Sequence, residues 1–410
     1  MAYYFRKKYI DELLNLKDKH FIKVLTGIRR CGKSTVLVQF MNVLKNDYKI
    51  NEKQIIYMDF NDSRLVKKYN WETLLNYLES IADKTNTNYL FLDEIQDIKG
   101  FENTIITLFE HKTLKFDIYV TGSNSKMLSS ELATLFTGRH RDVHIMPLTL
   151  KEFNEITNNP FFNKDFYKYA EIGGLGIIIP HIDNPGEAKE TLKNVLQDVI
   201  QKDVRKRHHN TSNLLIDKTI KYALSNIGVS ISPYKTCKKV NKQDDEKMTR
   251  ASFSNYLQWA CDAMILYRVD YFNHKTNTIL TTSGKYYAGD IGLLNSVVGY
   301  SDNTLGYKLE NIVLLQLISL GWEVYTLKLY QKNKNSKEVD FVIKKDEVIK
   351  YIQVTHTLTN ENKKREIDNL LSIKDGYEKI IILINDETGY STDGVRRIDL
   401  MRWLMDEIVI

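Results

Sequence analysis

Short apolar runs alternate with amphipathic segments through residues 1 to about 157. Five runs predict strands: "FIKVLTG" (21–27), "QIIYMDF" (54–60), "NYLFLDE" (88–94), "FDIYVTGS" (116–123) and "RDVHIMPL" (141–148). Between them, "KSTVLVQFMNVLKN", "WETLLNYLESIAD", "FENTIITLFEHK" and "SKMLSSELATLF" repeat their apolar residues at helical spacing. Strands that alternate with helices build a parallel sheet, and strands this continuously apolar are buried by helices on both faces. The fold class that follows is α/β, with five parallel strands.

Beyond Pro147 the rhythm changes. Residues 149 to about 285 read mostly helical, with "LIDKTIKYALSNIG" and "SFSNYLQWACDAMILYRV" followed by a strand pair, "ILYRVDYF" and "TILTTSGKYYAG". Helices and then a hairpin is the order of a winged helix. From about 303 a helix, "GYKLENIVLLQLISLG", precedes strands "WEVYTLKL", "EVDFVIKK" and "IKYIQVTH", then a helix and "KIIILIN". A chain of 410 residues exceeds what one core serves. Three domains are expected: 1–157, a helical winged-helix-like region 158–300, and a mixed region 301–410.

Composition narrows the class without naming a task. Hydrophobic content of 43% with 27% charged residues is that of a soluble globular chain. A net charge of +6, from 58 basic and 52 acidic side chains, is compatible with a polyanionic partner but does not demand one. Cys31, Cys237 and Cys261 lie far apart without a CxxC pair, which argues against a disulfide framework or zinc and fits the reducing cytoplasm. The N-terminal residues lack the apolar core of a signal peptide. No apolar run approaches the ~18 residues of a membrane span, and the most apolar stretch, "IGGLGIIIP", is about half that. A soluble cytoplasmic protein without membrane contact is expected.

Chemistry enters with "TGIRRCGKST". Gly27, Gly32, Lys33 and Ser34 satisfy G-x-x-x-x-G-K-[ST] between an apolar strand and a helix, the setting that phosphate binding needs. Glycines let backbone N–H groups converge on phosphate oxygens, and the helix N-terminus adds its dipole. Gly27, Ile28, Arg29, Arg30, Cys31, Gly32, Lys33, Ser34 and Thr35 are the expected nucleotide contacts. Lys33 is placed to reach the β- and γ-phosphates and Ser34 to hold Mg²⁺. Arg29 and Arg30 either assist with phosphate charge or project outward. Cys31 is either a small tolerated residue or a redox switch.

Farther on, "YLFLDEIQ" ends a strand in Asp93-Glu94. Asp93 is read as the second Mg²⁺ holder, the Walker-B position, and Glu94 as the general base for the attacking water. In "VTGSN", Ser123 or Asn124 either senses the γ-phosphate or caps the next helix. In "TGRHRD", Arg139 is either a solvated arginine or an arginine finger, and a finger would act on a neighbouring subunit and imply a homo-oligomer.

"TGIRRCGKST", "YLFLDEIQDIKGFE", "VTGSNSKMLSSELATLFTGRH" and "PLTLKEF" together resemble a prokaryotic AAA-superfamily ATPase family. Its members join that module to a C-terminal domain of unknown function, which "GYKLENIV" and "EVDFVI" resemble. The resemblance implies ATP binding and Mg²⁺-dependent hydrolysis and carries no settled biological role. The first reading is an Mg-ATPase whose nucleotide cycle drives or gates its C-terminal half. A slow nucleotide-dependent switch and an ATP-gated nuclease are the alternatives.

Glu310, Asp340 and "IQVT" (352–355) fall in the order of a restriction-endonuclease-like PD-(D/E)xK core. Asp340, Gln353 and Glu310 could serve as metal ligands, but Thr355 occupies the lysine position. His356 and Lys350 fall on the opposite strand face by parity. The domain is therefore read as a degenerate nuclease fold. Basic clusters at Lys202, Arg205, Lys206 and Arg207, and at Lys235, Lys238, Lys239 and Lys242, make DNA a candidate partner, diluted by "DDEK" nearby.

Overall fold

The computed structural model describes residues 4–122, 138–158, 162–208, 211–240, 247–300, 305–329, 337–356, 360–384, 388–390 and 394–410. The chain divides into two compact units, Met1–Met146 with Asp262–Met264, and Pro147–Cys261 with Ile265–Ile410.

The first unit runs α1 (Lys7–Leu16), β1 (Ile22–Thr26), α2 (Lys33–Asn46), β2 (Ile55–Asp59), α3 (Ser63–Lys68), α4 (Trp71–Ile81), β3 (Thr87–Asp93), α5 (Phe101–Phe109), β4 (Lys115–Thr121) and β5 (His140–His144). The five strands are parallel in the order β2-β3-β4-β1-β5, each where an apolar run predicts it. The helix predicted over 125–136 lies outside the described residues.

Both sheet faces are covered, as continuous apolar strands require. Leu90, Leu92, Ile118 and Val120 join Leu74 and Leu78 of α4 and Ile105 and Leu108 of α5 in one core. Phe40 of α2 packs against Phe91 and Tyr119, with ring centroids 6.2 and 5.2 Å apart. Each such side chain stabilises the fold by about 1.5–3 kcal/mol when fully buried. Charged residues are buried here as well. Lys23 in β1 is ion-paired with Asp117 of β4, which also accepts hydrogen bonds from Tyr119 Oη (2.8 Å) and Asp18 N (2.9 Å). A buried charge survives only when paired and hydrogen-bonded in this way.

The second unit opens with helices α6 (Leu150–Thr157), α7 (Phe162–Ile172), α8 (Pro185–Val199) and α9 (Asn213–Leu224). It continues β6 (Ser230–Ile231), α10 (Pro233–Val240), α11 (Arg250–Asp262), β7 (Leu266–Asn273), β8 (Thr278–Ala288), α12 (Ile291–Val298) and α13 (Leu305–Ser319). Then come β9 (Glu323–Leu329), β10 (Lys337–Lys345), β11 (Val348–Thr355), α14 (Asn360–Leu371), β12 (Glu378–Leu383), β13 (Gly389–Tyr390), β14 (Arg396–Asp399) and α15 (Leu400–Leu404). Among the described residues its nine strands form one mixed sheet, β13-β14-β12-β11-β10-β9-β7-β8-β6. Strands from both sides of residue 300 thus share hydrogen bonds.

The apolar "IGGLG" stretch is a tight corner built around one carboxylate. Asp290 caps α12 by accepting from Gly292 N (2.8 Å) and Leu293 N (3.1 Å), and it also accepts from Gly174 N (2.8 Å). A Cβ on Gly173 would stand 2.3 Å from the Asp290 carboxylate, and one on Gly174 2.2 Å from Leu148 O. Among the described residues no helix is long and apolar enough to cross a membrane.

Candidate nucleotide site

Between the end of β1 and the start of α2, residues 27–32 form a loop that only glycine permits at two points. Gly27 has φ +152° and Gly32 φ +105°. A Cβ on Gly27 would lie 2.3 Å from Ile145 O and 2.7 Å from Cys31 Sγ. Ile28 and Cys31 are buried, and burial pushes the Cys31 thiol pKa up, so this sulfur serves as packing and is poorly suited to redox exchange. Arg30 is exposed with φ +72°. Arg6, which sequence reasoning passed over, is buried beneath the loop and donates to Cys31 O (3.3 Å) and Met146 O (3.1 Å).

Lys33 is the first residue of α2 and only 4% exposed. Its Nζ donates to Gly27 O (3.0 Å) and stands 3.6 Å from Glu94 Oε1. Ser34 and Thr35 follow in the first turn, and Ser34 hydrogen-bonds Asp93.

Asp93 closes β3 and is fully buried. Burial raises its pKa, reinforced by Glu94 and Asp59, while hydrogen bonds from Ser34 and Thr121 act the other way. Tyr57 of β2 donates to its Oδ2 at 3.2 Å. A buried carboxylate and a hydroxyl side by side are the hard oxygen donors that Mg²⁺ takes, with water and phosphate completing its shell.

Glu94 occupies the left-handed region at φ +54°, a conformation that non-glycine residues adopt chiefly where the surroundings impose it. Burial alone would raise its pKa, but Lys33, Gln96 and Arg29 outweigh it and hold the carboxylate below its usual range. Because β4 lies between β1 and β3, its last residue, Thr121, reaches both acids: its hydroxyl donates to Asp93 and accepts from Glu94 N at 2.9 Å. His144 at the end of β5 contacts Thr26 Oγ1 at 3.2 Å, and burial with Lys33 and Lys8 nearby lowers its pKa to about 4. The imidazole is therefore neutral beside the loop.

The structure thus brings Gly27, Gly32, Lys33, Ser34, Asp93 and Glu94 together outside the carboxyl ends of parallel strands, where open α/β sheets bind ligands. Arg29 is near enough to Glu94 to lower its pKa. Arg139 is not among them. It precedes His140, which pairs with Ile22 at the amino end of β1, and it is ion-paired with Glu110. Ser123 and Asn124 lie outside the described residues. In the second unit, Asp340 accepts from Gln353 Nε2 (2.8 Å) and Val354 N (2.9 Å), and Glu310 accepts from Tyr287 Oη (3.0 Å). Lys350 is ion-paired with Glu378 (2.8 Å), and Arg205 with Asp217 (2.6 Å).

A family model described as an AAA domain matches residues 19–154, and one described as a domain of unknown function (DUF8612) matches 163–304. An uncharacterized protein of Haemophilus influenzae is 30% identical, with 98% of each chain covered. This chain belongs to the same family as that protein, with an AAA domain over residues 19–154. A second uncharacterized relative, from Methanocaldococcus jannaschii, is 34% identical over 88% of this chain and 78% of its own. The Walker-type ATPase of Pyrococcus abyssi, at 15% identity, superposes with a TM-score of 0.51, covering 72% of this chain and 96% of that one. That likeness shows the fold alone. The N-terminal unit is an AAA domain with the P-loop ATPase fold.

Proposed function

We propose that the AAA domain binds ATP with Mg²⁺ and hydrolyses it. The observation that carries this reading is the meeting of Lys33, Ser34, Asp93 and Glu94 at one loop. Ser34 and Asp93 would hold Mg²⁺, which supplies charge neutralisation at the phosphates. Lys33 exchanges Gly27 O and Glu94 for β- and γ-phosphate oxygens. Glu94, kept ionised, takes a proton from water as its oxygen adds to the γ-phosphorus and the bond to the β-phosphate oxygen breaks. Asn124 is assigned to orienting that water. Arg139 faces the other end of its own sheet, so a role in hydrolysis requires a second copy of the chain.

We further assign three modules, 1–157, 158–300 and 301–410. The order α9-β6-α10-α11-β7-β8, with β6 antiparallel on β8, supports a winged-helix reading of the middle module. The order α13-β9-β10-β11-α14-β12 supports a restriction-endonuclease-like reading of the last. The outward face of α11 presents Arg250, Ser254, Asn255 and Gln258, a polar surface suited to DNA, and the nucleotide cycle would gate these modules.

Titration of Mg-ATP into the full chain tests the site. Lys33→Ala should weaken binding at least about tenfold, as the loss of one charge-assisted contact of 1.5–3 kcal/mol implies; equal affinity would refute the assignment. The Lys33–Glu94 ion pair favours a second reading, a slow switch, because it must open before either group acts. Turnover below about 10⁻³ per second would select that reading.

A further inference from the structure

The reason for reading 301–410 as degenerate is the threonine at 355. A lysine reaches the acid cluster from elsewhere in the sheet. Lys285 of β8 is 3% exposed and ion-paired with Glu338, two residues before Asp340 on the same face of β10. Tyr287, on the same face of β8, donates to Glu310. Asn311, next to Glu310, holds α13 against β8 through Ala288 N (2.7 Å) and Ala288 O (3.0 Å). Strand pairing of Phe341 with Ile352 sets Asp340 beside Gln353.

Charge and satisfaction are both incomplete here. Burial would lower the pKa of Lys285, but Glu310, Glu338 and Asp340 outweigh it and keep the ammonium charged. Burial raises Asp340 and Glu310, and Glu366 adds to both. Three carboxylates, Glu310, Glu338 and Asp340, therefore act on one cation. Gln353 is 6% exposed, its amide nitrogen is spent on Asp340, and its Oε1 has no hydrogen-bond partner among the described residues. A buried polar atom left unpaired in this way is one that a ligand would satisfy, and it lies beside the Asp340 carboxylate. Among the described residues no three acids, histidines or cysteines form a protein-only metal cage. Two carboxylates and an amide oxygen are hard donors of the kind Mg²⁺ or Mn²⁺ takes, with waters and a substrate phosphate completing the shell.

We propose that Glu310, Asp340 and Gln353 hold a divalent cation against a nucleic-acid phosphodiester, and that Lys285 supplies the ammonium absent at Thr355. Water's oxygen adds to phosphorus and the bond to the leaving sugar oxygen breaks. One water proton goes to solvent, and the leaving oxygen takes one back. Lys285 remains protonated and stabilises the charge that builds on the phosphoryl oxygens. This assignment does not rest on ATP hydrolysis.

The test uses the full chain with Mn²⁺ and end-labelled DNA and RNA, single- and double-stranded, with and without ATP. Strand cleavage is expected in at least one arm, falling on the order of 10²-fold in Lys285→Ala and in Asp340→Asn. Mn²⁺ binding without nucleotide, read by electron paramagnetic resonance, separates the roles. Asp340→Asn, which preserves shape, should lose the ion, Gln353→Glu should tighten it, and Lys285→Ala should keep it while failing to cleave. Absence of cleavage in every arm, cleavage indifferent to Lys285, or Mn²⁺ binding indifferent to Asp340 overturns the proposal.

Discussion

Thr121 is the residue on which the two acids of the nucleotide site depend. One hydroxyl donates to Asp93 and accepts from the backbone of Glu94, so it fixes the carboxylate and the strained φ +54° turn together. Thr121→Val keeps shape and removes both contacts. The expected outcome is a phosphate-release rate lower by about 10–100-fold in single turnover, the loss of two hydrogen bonds of about 0.5–1.5 kcal/mol each; an unchanged rate would remove Thr121 from the site. Lys33, Ser34 and Asp93 were legible in the sequence because the loop chemistry fixes residue type and spacing. Thr121 was not, since a threonine ending an apolar strand looks like ordinary β filler. Arg6 was illegible for another reason: its partners, Cys31 and Met146, are 25 and 140 residues away in sequence.

At the scale of elements, apolar runs located all five strands of the AAA domain, because β1, β3 and β4 are buried along most of their length and the edge strands β2 and β5 still bury Ile56, Met58 and Val143. β14, "RRID", escaped notice, since an arginine pair next to two further residues carries no strand period. The corner at Asp290 was equally hidden; "IGGLG" read as an apolar stretch, while its conformation answers to a carboxylate over a hundred residues later. Burial raises the Asp290 pKa from 3.8 to about 6, against hydrogen bonds from Gly174, Leu293, Gly292 and Leu175. Between these values the folded state holds a proton that the unfolded chain has lost. The stability from this group is therefore fully present below about pH 4 and is lost as pH rises through about 6, by ~3 kcal/mol. Urea melts from pH 4 to 7 should show a flatter profile for Asp290→Asn than for wild type. Asp290→Ala leaves several buried N–H groups unpaired and should cost at least ~2–4 kcal/mol. Parallel profiles for wild type and Asp290→Asn would contradict the burial argument.

On the scale of the whole molecule, an AAA domain in one compact unit shares a chain with a second unit built on a nine-stranded mixed sheet. The helix-then-hairpin order and the late strands were readable by period. That one sheet runs through both regions was not, because strand pairing across residue 300 leaves no local signature. We hold that the loop at 27–35 serves hydrolysis as well as binding. Steady-state phosphate release by the full chain with Mg-ATP decides this when wild type is compared with Glu94→Gln. Mg²⁺-dependent release should fall by about 10²–10⁴-fold in the variant, the usual worth of a positioned base, with ATP still bound. Equal rates in the two proteins would rule hydrolysis by this site out.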